Sequence, residues 1–98
     1  MAWAYVQTVE GVDLQGYDAV SAEIGKETPT GAILHVAGLY EGKLRVMEVW
    51  ESEDAYRRFR AERLTPALEK AMGPEAVVSE WPPPGFEPMD VHNLLQAE

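Results

Sequence analysis

The chain's 98 residues, 46% of them hydrophobic, suffice for one core and one domain over 1–98, which excludes a disordered segment and a two-core protein. Its 17 acidic and 8 basic side chains leave a net charge of −9, which argues against nucleic acid and anionic membrane as partners, because both are held by Lys and Arg. Cysteine is absent, so disulfides, thiolate nucleophiles and Cys-ligated metals are excluded; no apolar run nears the roughly 20 residues of a bilayer span, and Met1–Tyr5 lacks a signal peptide's basic start, so a cytoplasmic protein is expected.

Residues 3–9 (WAYVQTV) are aromatic and β-branched and predict a strand. Asp13 is placed to cap a helix over about 14–26, with Tyr17, Val20, Ser21 and Ile24 on one face. Residues 32–40 and 43–50 predict two strands joined at Glu41-Gly42 in a tight hairpin. Ser52 caps a second helix, with Glu53 and Asp54 in its first turn. Thr65-Pro66 predicts a kink or restart in it, and Gly73-Pro74 its end. Residues 76–81 (AVVSEW) and 89–95 (MDVHNLL) are strand candidates on either side of Pro82-Pro83-Pro84-Gly85. Phe86 and Met89 have no local partner, so residues 82–95 are expected to run along a partner chain or complete its sheet edge.

The order β-α-β-β-α-β predicts an α+β, ferredoxin-like domain: a four-stranded antiparallel sheet with both helices on one face. A two-residue turn pairs His35 with Glu48, Ile33 with Trp50 and Ala37 with Val46 on one face of the hairpin. Val36–Met47 and Leu34–Val49 lie on the other. Both faces are largely apolar, yet two helices cover only one. The second face is expected to meet another copy of the same sheet, giving a homodimer.

His35 and Glu48 form the one ionisable pair opposed across the hairpin. A carboxylate beside an imidazole fixes its tautomer and raises its pKa, which suits His35 as a general base with Glu48 orienting it. The competing reading is a cross-strand polar pair that satisfies itself. His35, Glu48 and His92 have the right types for a metal, but the strand order puts the two histidines on opposite edges, about 14 Å apart. No metal or cofactor is therefore expected. Trp3, Tyr5, Tyr17, Trp50, Tyr56 and Phe59 are expected to crowd the space between sheet and helices, where they would either line a pocket for a small aromatic ligand or simply form the core. Arg63 falls on the face of Tyr56 and Phe59 and would either reach into that pocket or lay its stem on the apolar surface with its head in water, whereas Arg57, Arg58 and Arg60 read as a solvated, salt-laced surface.

Several segments carry a resemblance: Leu34-His35-Val36-Ala37-Gly38, Val46-Met47-Glu48-Val49-Trp50-Glu51-Ser52, Ala55-Tyr56-Arg57-Arg58-Phe59 and Leu64-Thr65-Pro66-Ala67-Leu68. Together they resemble the dimeric α+β-barrel superfamily and its small antibiotic-biosynthesis-monooxygenase-like members. Val91-His92-Asn93-Leu94 is similar to the last strand of such proteins. The resemblance implies a dimeric α/β barrel and, as one activity, cofactor-independent monooxygenation of an aromatic or polyketide-like molecule. The haem-degrading branch is disfavoured, since its Asn, Trp and His are replaced here by Tyr5 or Gln7, Phe59 and Glu69. The Asn and Trp of the quinone-forming oxygenases have no counterpart beyond Asn93 and Trp50. Whether the chain is an enzyme stays open, the alternative being a non-catalytic dimeric module that binds a ligand or a protein.

Overall fold

The computed structural model describes residues 2–96. Its elements are β1 (Trp3–Val9), α1 (Leu14–Ile24), β2 (Ala32–Tyr40), β3 (Lys43–Trp50), α2 (Glu53–Phe59), α3 (Thr65–Met72) and β4 (Phe86–Asp90). All four strands pair antiparallel in the order β2-β3-β1-β4, the ferredoxin-like α+β arrangement expected from the element order. Among the described residues, no helix is long and apolar enough to cross a membrane.

The hairpin has the expected register: His35 opposes Glu48, Val36 opposes Met47 and Ala37 opposes Val46. Glu41 and Gly42 both take positive φ, at 51° and 78°, the turn geometry that matches strand twist. One pairing is corrected. Ala32, not Ile33, faces Trp50, because a bulge absorbs one residue between Ala32 and Leu34.

Asp13 caps α1 by accepting a hydrogen bond from the Gly16 N–H at 2.8 Å, and Ser52 caps α2 through the Ala55 N–H at 3.1 Å. The expected restart at Thr65-Pro66 takes another form. Residues Arg60–Leu64 make a π-helical turn, in which Thr65 N–H bonds the Arg60 carbonyl, and the chain passes from α2 to α3 without leaving helical dihedrals. Thr65 caps nothing. Pro66 lacks an N–H and crowds the carbonyl four residues earlier; the wider turn accommodates both.

The C-terminal strand is also corrected. Residues 77–81 form no strand, and 91–94 lie beyond the last one; β4 is Phe86–Asp90 and pairs with this chain's own β1. The arm therefore completes its own sheet. Gly85 makes this approach possible: a Cβ there would stand 2.4 Å from the Thr8 carbonyl oxygen, and its φ is 75°. Phe86 then enters the core and stacks on Tyr5, with ring centroids 4.4 Å apart.

Alternation sorts the sheet into two faces. Trp3, Tyr5, Trp50 and Phe86 point toward the helices and join Tyr56 and Phe59 in one buried aromatic cluster. The opposite face carries the cross-sheet row Leu34–Val49–Ala4–Met89 and, beside it, Val36–Met47–Val6.

Candidate functional site

Glu48 is 7% exposed, in the middle of β3 on the helix-facing side. Such a buried carboxylate needs hydrogen-bond partners, and it has them. Trp50, two residues along the same strand, donates its indole N–H to Oε1 at 2.8 Å. His35, across the hairpin, holds Oε2 through Nδ1 in a short contact. With the Nδ1 proton directed at the carboxylate, Nε2 of the neutral ring is an acceptor. The Tyr17 hydroxyl, from the first turn of α1, donates to it at 2.6 Å. The two rings lie nearly parallel, at 16° with centroids 6.0 Å apart. The result is a relay, Tyr17–His35–Glu48, anchored by Trp50.

The electrostatics follow from these partners. The hydrogen bond from Glu48 raises the His35 pKa against the opposing effect of burial, and the carboxylate charge adds to it. Burial, then the charges of Glu48 and Asp18, push Tyr17 up, so it stays a neutral donor. Burial and the Glu48 charge raise Tyr5, which faces Glu48 from β1. Burial also raises Tyr56, partly offset by the nearby Arg60 guanidinium.

A cavity of about 690 Å³ lies between the sheet and the helices. His35, Glu48 and Tyr17 reach it from one side. Its floor and back are Tyr5, Trp50, Tyr56 and Phe59; Val20 and Ile24 of α1 and Leu64 and Leu68 roof it. Val78 and Pro83, in the segment before β4, border it too.

The structure thus brings together His35, Glu48, Tyr5, Trp50, Tyr56 and Phe59 around one space. Arg63 is a correction. Its guanidinium donates to the carbonyls of Ile24 at 2.9 Å and Glu27 at 3.0 Å, closing the C-terminal end of α1, and it borders a smaller groove with Glu62 and Lys70. The guanidinium does lie over the Phe59 ring, 5.7 Å from its centroid, as the shared face implies, but its donors turn to the end of α1 and not into the cavity. The roles of two residues go unassigned by the sequence reading. Tyr17 lines the cavity, as one of the aromatics expected there, but its hydroxyl bond to His35 has no sequence signal beyond its place on the Val20–Ile24 face. Arg60 reads as surface, although it stands four residues after Tyr56 and so shares its side of the helix; its Nη1 bonds the Tyr56 hydroxyl at 3.2 Å.

Comparisons with known proteins bear on the fold. No protein-family model matches the chain, and no curated protein is similar to it in sequence. Solved structures match over nearly the full length. A Chloroflexus aurantiacus protein described as a candidate antibiotic biosynthesis monooxygenase aligns with a TM-score of 0.64 at 13% identity, over 98% of both chains. SnoaB, a cofactor-independent oxygenase from Streptomyces nogalater, aligns with a TM-score of 0.54 at 18% identity, over 98% of this chain and 96% of its own. The fold is that of the antibiotic-biosynthesis-monooxygenase-like proteins.

Proposed function

We propose that the chain is a small homodimeric cytoplasmic enzyme that acts on an aromatic, polyketide-like molecule, with His35 as its base and no cofactor. The observation that carries this reading is the opening of the Tyr17–His35–Glu48 relay onto a 690 Å³ cavity with aromatic walls. That volume lies in the range that encloses drug-sized ligands. A structural pair sealed inside the sheet would have no such access. The likeness to a cofactor-independent oxygenase supports the choice of chemistry.

Proton removal begins at Tyr17, whose hydroxyl meets the substrate. As it takes a proton from an acidic ring hydroxyl, it passes its own to Nε2 of His35. Glu48 stabilises the imidazolium that forms and holds the ring in place, the role a carboxylate plays behind any catalytic histidine. Trp50 keeps the carboxylate itself from turning. The anionic ring left behind is electron-rich and reduces dioxygen: one oxygen bonds a ring carbon that bears hydrogen, giving a hydroperoxide, and as its O–O bond breaks that carbon loses its hydrogen and becomes a carbonyl while the other oxygen leaves as water. The apolar walls exclude water from this anion.

Oxygen uptake in the presence of a panel of polyhydroxylated naphthalenes and anthracenes tests the proposal. His35→Ala and Glu48→Gln should each lower turnover at least a hundredfold while the circular dichroism spectrum is unchanged. Retained activity in both variants sinks the assignment. Ligand binding without any oxygen uptake by the wild type favours the alternative, a non-catalytic binding module.

A further inference from the structure

Resting on the reading of the cavity as a substrate pocket, we propose that Arg60 recognises an anionic oxygen of the ligand, and that the ligand class is an aromatic hydroxy acid. Two permanent cations line the cavity: Lys26 is exposed, in the loop after α1, whereas Arg60 is half-buried where α2 enters the π turn. Its charge is permanent. Its hydrogen-bond partners are both neutral: the Tyr56 hydroxyl at 3.2 Å and the Val78 carbonyl at 3.2 Å. Arg58 of the same helical stretch is exposed and does not line the cavity, and three further cations are otherwise engaged. Arg57 pairs with Glu53 at 3.3 Å, Lys70 with Glu23 at 3.3 Å, and Arg63 spends its donors on the end of α1. Among the described residues no carboxylate pairs with Arg60.

A half-buried cation facing neutral partners lacks the compensation that an ion pair supplies, and a carboxylate in the cavity would supply it through the remaining guanidinium donors. Glu48 makes no ion pair with Arg60; its oxygens accept from His35 and Trp50. Between Glu48 and Arg60 stand the rings of Tyr5 and Tyr56, with centroids 4.9 Å apart. Tilted by 51° to each other, they offer an aromatic face and an edge for a ring system to pack against. One ligand thus meets a hydroxyl-sensing relay at one side and an anion-sensing guanidinium at the other. The chain's net charge of −9 sharpens the inference, since general attraction repels an anion and only a local site would hold it.

Quenching of tryptophan fluorescence at pH 7 tests this with two probes. 1-Hydroxy-2-naphthoate carries the carboxylate; 1-naphthol lacks it. The wild type should bind the naphthoate at least tenfold more tightly. Arg60→Gln, which keeps a donor for the Val78 carbonyl, should reduce that preference to within threefold, while Arg60→Lys, which keeps the charge and loses the fork, should retain part of it. Melting temperature verifies that each variant is folded, and should the Gln variant be unfolded, the Lys variant decides, since an undiminished tenfold preference there with no loss of naphthoate affinity overturns the role of the fork. Binding of both probes without preference, or a preference unaltered in both variants, overturns the inference alone. Failure of both probes to bind the wild type overturns the substrate-pocket reading itself, and this inference with it.

Discussion

The two faces of the sheet invert the usual expectation about where polar and apolar groups belong. The helix-covered face buries a carboxylate and a tyrosine hydroxyl beside its aromatic cluster. The uncovered face leaves Leu34, Val36 and Met47 at 43%, 46% and 42% exposure. On the first face the polar groups are tolerated because each is matched: His35 and Trp50 on Glu48, Arg60 on Tyr56. On the second, nothing among the described residues covers the apolar row. Burial alone therefore does not mark function. A buried acid with two donors and a cavity beside it points to chemistry, whereas an exposed apolar stripe points to association.

The largest expected effect is on the covered face. Trp50→Ala removes a 2%-exposed side chain and one of the two donors to Glu48. A buried Trp→Ala change costs roughly 3–5 kcal/mol, and the unpaired carboxylate oxygen adds to it. The shift in urea midpoint measures this, and a loss under 1 kcal/mol would mean that the covered face is not the stabilising one.

The uncovered face should respond in association rather than folding. Light scattering of the wild type at micromolar concentration should give about twice the 10.9 kDa chain mass. Val36→Asp combined with Met47→Asp should weaken that dimer about a hundredfold, ~2.8 kcal/mol, with little change in circular dichroism. A wild-type monomer at these concentrations would remove the distinction between the faces.

The smallest effect sharpens the polar side of the comparison. The His35 pKa is raised in the folded chain, chiefly by its hydrogen bond to Glu48, so protonation of His35 favours folding. That stabilisation is complete below the unfolded value near pH ~6.5 and is lost as the pH rises through the raised folded value. Wild-type stability should accordingly fall across that interval, and Glu48→Gln should flatten the fall. Urea midpoints between pH 5.5 and 8.5 read it, and proton NMR of the imidazole should place the His35 titration higher in the wild type than in the variant. Parallel profiles would show that the pair carries no linkage.

Much of this was legible in the chain before any coordinates. The hairpin register follows from alternation and a Glu-Gly turn, and it alone pairs His35 with Glu48. The bulge at Ile33 left no mark, because both neighbours are small or apolar and either fits the face. The last strand was misplaced for a physical reason. Phe-Glu-Pro-Met-Asp carries a proline and two acids, which argue against a strand unless it lies at an edge, where β4 does lie. Ala-Val-Val-Ser-Glu-Trp has strand-like residues, but the place beside β1 is taken by Phe86–Asp90. Instead the Val78 carbonyl takes Arg60, and Trp81 stacks under Arg57 with the guanidinium 4.2 Å from the ring. Arg63 and Arg60 both keep the four-residue spacing to Phe59 and Tyr56; what the sequence leaves out is the long-range partner, the end of α1, that takes the donors of Arg63.

Pro88 sets a limit on growth. The Val91 N–H points inward to the Ala2 carbonyl, so along β4 the even-numbered positions point outward. Of these, Phe86 spends its N–H on the Pro83 carbonyl, and Pro88 has none to give. Asp90 alone is left with an outward N–H, next to its own negative side chain. A further strand arriving at this margin would find one donor where a template needs a row of them. Strand-by-strand addition at the β4 margin is thereby blocked, and copies of the chain that meet there have no ladder to extend.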